Sequence, residues 1–201
     1  LIIVNIHHMQ VGMIQTNCYI LWDDAEKKAL IVDPGADGEK ILKWIDREGL
    51  TPHAILLTHG HFDHTGGIKL IRDRTHIPLY IHPADDFLLH RSIGADHPLR
   101  DGQELRLGGL DIRVLHTPGH TPGSVCFLIG DTLLAGDTVL EGTVGRTDLH
   151  GGDPKALIRS LEEKILPLAD TVQVYSGHGA PSTVGREKRM NPFFPRSEGY
   201  R

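Results

Sequence analysis

The sequence predicts an α/β chain of two sheets with helices on their outer faces. Two observations lead there. Short apolar runs of strand length recur along the 201 residues, separated by Gly, Pro and Asp turns. Strands dominate the first two-thirds, and hairpin-like pairs alternate with helically spaced segments, which does not fit a simple doubly wound sheet. In order, residues 17–22, 29–33, 53–57, 78–82, 110–115, 124–129, 131–135 and 171–175 read as strands.

The helices are read from spacing and caps. Asp33-Pro34-Gly35-Ala36-Asp37-Gly38 ends a strand and opens a helix. Its apolar positions Ile41, Leu42, Trp44 and Ile45 run up to Gly49, a C-cap. Residues 65–73 and 83–90 fit helices. Asp153-Pro154 is an N-cap followed by a first-turn proline, with Leu157, Ile158, Leu161 and Ile165 behind it and Pro167 ending the segment. Ser182 or Thr183 caps a last short helix, and residues 191–201 read as a polar, loosely held tail.

Length fits one domain over residues 1–201. Aromatics are 5%, so the core must be Ile, Leu and Val. A net charge of -5 argues against nucleic acid as partner, because phosphate binding wants a basic face. No apolar run approaches the ~20 residues of a membrane span. The opening Leu1-Ile2-Ile3-Val4 is too short for a signal peptide and lacks a basic region, so a cytoplasmic location is the expectation. Cys18 and Cys126 each lie in an apolar stretch and read as small buried hydrophobes.

Histidine is the outlier, at 14 residues. Five stand beside turns in metal-ligand company. The key string is Thr58-His59-Gly60-His61-Phe62-Asp63-His64, just past the apolar run Ala54-Ile55-Leu56-Leu57. It offers N and O donors of the kind Zn, Fe or Mn accepts. In extended chain His59 and His61 share a side and can share one ion, while a bend presents Asp63 and His64 to a second. Chance places H-x-H-x-D-H in roughly one chain in two hundred of this composition. His120, Asp137 and His178 sit in similar settings, each beyond a strand and beside a glycine. Four motifs at strand ends imply one converging site. The other nine histidines (His7, His8, His53, His76, His82, His90, His97, His116 and His150) lack ligand spacing and read as surface or satisfied polar residues.

H-x-H-x-D-H with the later His, Asp and His resembles the metal signature of the metallo-β-lactamase fold. The strings Thr58–Gly67, His116–Ser124, Ala135–Thr138, Gly145–Asp148, Gly177–Gly179 and Asn191–Phe193 resemble its glyoxalase II branch. The resemblance implies a four-layer αββα sandwich of two mixed sheets. It implies that His59, His61 and His120 hold one metal, Asp63, His64 and His178 a second, and that Asp137 bridges them. Two divalent ions, zinc first and iron or manganese as alternatives, are the implied cofactors. The implied reaction is hydrolysis of a small-molecule thioester, hydroxyacyl-glutathione, by a hydroxide held between the ions, with Asp63 orienting it. A mononuclear-iron persulfide dioxygenase using His59, His120 and Asp137, or hydrolysis of another ester, lactone or β-lactam, are the alternatives. One departure stands out. Only twelve residues, Gly179 to Met190, separate His178 from Asn191, where full-length glyoxalase II has a longer helical region with cationic groups. The chain resembles the compact members.

Asp33 is expected to orient a ligand imidazole, or else to form a plain turn and helix cap. Arg146 is a candidate for a substrate carboxylate or a structural ion pair. Tyr175 is a candidate for substrate contact or strand core. Arg186, Lys188 and Arg189 form a basic cluster that either meets an anionic substrate tail or is a solvated helix face.

Overall fold

The computed structural model describes residues 4–195. Each half of it builds one six-stranded mixed sheet. The first sheet runs in chain order through β1 (Asn5–Val11), β2 (Thr16–Trp22), β3 (Lys28–Val32), β4 (Thr51–Leu56), β5 (Leu79–Ile81) and β6 (His97–Pro98). Strands β1 to β3 are antiparallel neighbours and β3 to β6 are parallel. The crossovers carry α1 (Gly38–Arg47), α2 (Phe62–Thr65) and α3 (Ile68–Thr75). The second sheet contains β7 (Glu104–Leu107), β8 (Leu110–His116), β9 (Val125–Ile129), β10 (Thr132–Gly136), β11 (Gln173–Ser176) and β12 (Ser182–Thr183), in the order β12-β11-β10-β9-β8-β7. Only β10 and β11 are parallel there. Helix α4 (Pro154–Ser160), continued by a π-type turn at Leu161–Ile165, joins them, and α5 (Val184–Met190) closes the described chain.

Both faces of the central strands are buried, so their sequences are continuous apolar runs. Leu30, Val32, Ala54 and Leu56 face Val114, Phe127 and Leu134 between the sheets. Ala29, Ile31, Ile55 and Leu57 face the other way, onto Ile41 and Ile45 of α1 and Ile68 and Ile71 of α3. Leu115, Cys126, Leu133 and Ala135 face Leu161, Ile165 and Val184 on the far side. Three apolar layers therefore bind four structural layers, the αββα order. Cys18 and Cys126 are free and lie in different outer layers. Among the described residues no helix is long and apolar enough to cross a membrane.

Several elements depart from expectation. Strand β1 has no apolar run, because His7, His8 and Gln10 interrupt it; pairing with all of β2 defines it. Strand β7 is an edge strand with alternate residues exposed, and β6 and β12 are two residues each. The helix expected over 65–73 is two helices. The chain must pass the Asp33 turn there, and a Cβ on Gly66 would overlap the Gly35 carbonyl, as one on Gly67 would that of Pro34. Segment 83–90 is a 3-10 turn over Pro83–Leu88. Asp153 caps α4 through Lys155 N and Ala156 N, and Thr183, not Ser182, caps α5.

The expected loose tail is anchored at its start. Asn191 and Phe194 are buried, and Asn191 Nδ2 donates to Thr143 O at 2.8 Å and Glu187 Oε2 at 2.7 Å. Residues 196–201 and 1–3 lie outside the described residues.

Candidate metal centre

The polar residues singled out by sequence gather at the C-terminal ends of the parallel strands, where open α/β sheets form crevices. Asp33 follows β3, and the His59–His64 string follows β4. His120 lies in the β8–β9 connection, while Asp137 and His178 follow β10 and β11.

Two ligand groups form. The donor atoms of His59, His61 and His120 lie within 4.8 Å of one another, as do those of Asp63, His64 and His178. His61 Nδ1 is 3.0 Å from His120 Nε2. Asp63 Oδ2 is 3.1 Å from His178 Nε2 and 3.5 Å from His64 Nε2. Asp137 stands between the groups. Its Oδ2 is 3.4 Å from His120 Nε2 and 3.6 Å from His178 Nε2, and its Oδ1 is 3.6 Å from His64 Nε2.

The donor set fits divalent metal ions, on an observation of unsatisfied atoms. His59 Nε2, His64 Nε2 and Asp137 Oδ1 are buried without a hydrogen-bond partner. Buried polar atoms are rarely left so. The opposite ring nitrogens are committed. His64 Nδ1 donates to Asp33 Oδ2 at 2.9 Å. The Thr58 hydroxyl donates to Asp33 Oδ2 at 2.6 Å, so its oxygen accepts from His59 Nδ1 at 3.0 Å. His120 Nδ1 donates to the Arg146 carbonyl at 2.7 Å. All three rings thus aim Nε2 at the centre, with a lone pair there once any proton on it is displaced. Asp33, grouped by distance with His59 and His64, is not free to ligate: it also accepts from Thr58 N at 2.8 Å. It serves as the orienting group and caps no helix.

The electrostatics differ between the groups: His59 and His61 are held towards the neutral form, whereas His64 and His178 are drawn towards the charged one. Burial, and then the neighbouring imidazoles, hold His59 well below its usual range. Burial opposes a charge on His64 too, but Asp137, Asp33 and Asp63 outweigh it and push His64 up to about 9. The hydrogen bond to Asp63 raises His178. Burial would raise Asp63, yet His178 and His64 draw it far below the usual carboxylate range.

Sequence reasoning missed the supports. Thr16 Oγ1 donates to Asp63 Oδ2 at 3.1 Å. Asn17 and Tyr19 bind the loop of His178, and Asp85 binds two loops at once. A usable signal existed in Asn17, an amide buried inside a strand.

The proposed substrate contacts are engaged elsewhere. Arg146 makes a two-pronged pair with Asp148 at 2.7 and 2.8 Å, and only its carbonyl serves the centre. Tyr175 packs edge-on against Tyr19 at 5.7 Å in the inter-sheet layer. Arg186 pairs with Glu141, and Lys188 with Asp170 and the Leu168 carbonyl. Lys188 therefore packs at the foot of α5, because Asp170 lies there.

Two mixed sheets with a His/Asp cluster at one edge define a metallo-hydrolase architecture. The chain belongs to the metallo-beta-lactamase superfamily, which it matches over residues 11–178. It is 41% identical over 202 residues to "Probable metallo-hydrolase YqgX" of Bacillus subtilis, covering 92% of this chain and 95% of the relative. It is 37% identical over 208 residues to hydroxyacylglutathione hydrolase GloC of Haemophilus influenzae, covering 94% and 98%. Among solved structures it resembles the BLEG-1 B3 metallo-beta-lactamase (TM-score 0.89, 40% identity, 94% of this chain and 99% of that one). It also resembles TTHA1623 in a di-iron-bound form (0.85, 37%, 94% and 100%). ETHE1 from Myxococcus xanthus is similar as well (0.83, 30%, 94% and 83%).

Proposed function

We propose that this metallo-hydrolase cleaves the thioester of a hydroxyacyl-glutathione. His59, His61 and His120 would hold one divalent ion, Asp63, His64 and His178 a second, with Asp137 shared. The observation that carries the reading is the place of Asp137, within 3.4 to 3.6 Å of ring nitrogens from both groups. The similarity to GloC supports the thioester, and the ligand chemistry suits zinc, iron or manganese alike.

Bound ions would supply an activated water and a Lewis acid for the acyl oxygen. The protein's own part is positioning. Asp63 stays ionised beside His178 and His64 and accepts a hydrogen bond from Thr16, so it can orient the attacking water. The water oxygen adds to the carbonyl carbon and its proton is lost to solvent, the C–S bond breaks, and the sulfur leaves with the electron pair as a thiolate. A thiolate leaves readily, so no strong general acid is needed.

A second reading is oxidation of a persulfide with dioxygen at one iron held by His59, His120 and Asp137; the similar TTHA1623 structure shows that a related chain accepts iron, there as a pair of ions. The intact Asp63–His64–His178 group favours hydrolysis. The test is a panel of lactoyl-glutathione, a lactone, a β-lactam and a glutathione persulfide, with and without dioxygen, with metal content measured alongside. Thioester hydrolysis independent of dioxygen is expected, and it should collapse in His120→Ala and in Asp137→Ala. Wild-type rates in both variants would end the hydrolase reading.

A further inference from the structure

Asp85 is fully buried in the 3-10 turn after β5, yet no cation pairs with it among the described residues. A lone buried carboxylate is costly unless hydrogen bonds satisfy it. Three do. Oδ2 accepts from Gly60 N at 2.9 Å and from Thr121 Oγ1 at 2.7 Å, and Oδ1 accepts from Gly123 N at 2.6 Å.

The donors come from two loops on different sheets. Gly60 lies between His59 and His61 on the loop after β4, and Thr121 directly follows His120 in the β8–β9 connection. Glycine lets each backbone come close: a Cβ on Gly60 would lie 2.8 Å from Leu88 Cβ, and one on Gly123 would lie 2.7 Å from Asp85 Cγ. Asp85 belongs to neither ligand group. Its oxygens are occupied by the loops that carry the first group.

We infer that Asp85 is the positioning residue of the His59–His61–His120 group, clamping the two loops so that three imidazoles from two sheets meet. Asp33 does the corresponding work for the other half, through Thr58 and His64. The loop after β4 is thus held from both neighbouring strands, by a carboxylate past β3 and another past β5. The inference rests on the metal-centre reading but needs no particular substrate.

The test is zinc titration of metal-depleted protein against a chromophoric chelator. A His178→Ala background isolates the first group, and a His61→Ala background isolates the second. Asp85→Asn keeps the volume but turns an amide N–H towards a donor. It should weaken zinc at the first group by about 10–100-fold. The second group should change by less than about threefold. The cobalt(II) absorption spectrum of the first group should shift as well. Thr121→Val removes one donor and should weaken the first group less, while Thr121→Ser should restore it. This pair decides the matter if Asp85→Asn does not fold. Equal weakening of both groups, no weakening, or a Thr121→Ser variant no better than Thr121→Val would overturn the inference. Wild-type protein that takes up no zinc would overturn the metal centre itself, whereas zinc uptake unchanged by Asp85→Asn would overturn only the role of Asp85.

Discussion

The side-chain amide of Asn17 donates to the main-chain carbonyl of Ser176 at 2.9 Å, and so a strand of the first sheet carries the loop of a ligand from the second. The same amide reaches Gly179 O at 2.9 Å, and Asn17 N donates to Gly177 O at 2.7 Å. His178 lies inside this bracket. His8 Nε2 lies 2.6 Å from Asn17 Oδ1 and fixes the amide's orientation, so this histidine, read from sequence as a surface or satisfied polar residue, is exposed and also supports the loop.

Asn17→Ala should therefore act on both stability and metal binding. Leaving buried carbonyls short of a donor costs about 1–3 kcal/mol. Thermal melting should show the loss, and zinc titration should show weaker binding at the Asp63–His64–His178 group. A melting loss with zinc binding unchanged would mean that the bracket holds the fold and not the ligand.

Gly177→Ala tests the closeness of the centre. A Cβ there would overlap Asp137 Oδ1 and come within 2.7 Å of His64 Cε1. The variant should fold but bind fewer than two ions, read by metal analysis after dialysis. Full metal content would show that the shared carboxylate can move aside.

Metal binding should strengthen as pH rises. His64 is pushed up to about 9 in the metal-free protein, above its ordinary 6.5. Its proton therefore stabilises the metal-free fold fully below pH 6.5, and this contribution is lost as pH rises through about 9. An ion at Nε2 must displace that proton. Zinc affinity should then rise by up to about tenfold per pH unit below the His64 pKa for one displaced proton. Competition titrations between neutral pH and the His64 pKa measure the slope; a flat profile would remove His64 from the ligand set.

The C-terminal anchor should matter in spite of its distance from the chemistry. Glu187 is buried and accepts from Gly142 N at 3.0 Å, Ser182 Oγ at 2.5 Å and Asn191 Nδ2 at 2.7 Å. These bonds tie α5 to the stretch that leads to Arg146, whose carbonyl orients His120. Glu187→Gln sets an amide against donors and should cost about 1–3 kcal/mol, read by denaturant unfolding. An unchanged midpoint would refute the anchor.

Much of the architecture was legible in the one-dimensional pattern. Runs such as Ala29–Val32 and Ala54–Leu57 are apolar at every position because both faces of their strands are covered, and that burial is written in composition. Strand β1 was not legible, since its histidines find their partners across space, His7 stacked on Trp44 and His8 hydrogen-bonded to Asn17. The seven ligand candidates were legible too, because imidazole and carboxylate beside glycine at strand ends form a local signal. What they do not carry locally is orientation. Asp33 is 25 residues from the Thr58 amide it accepts, Asp85 is 25 and 38 from those of Gly60 and Gly123, and Asn17 is 159 from Ser176. The sequence by itself determined which side chains can ligate and that they end strands. Only the tertiary structure decided which carboxylates stay free and which are committed to holding loops, because that depends on which strands lie side by side, and hydrogen bonds act over about 3 Å whatever the separation along the chain.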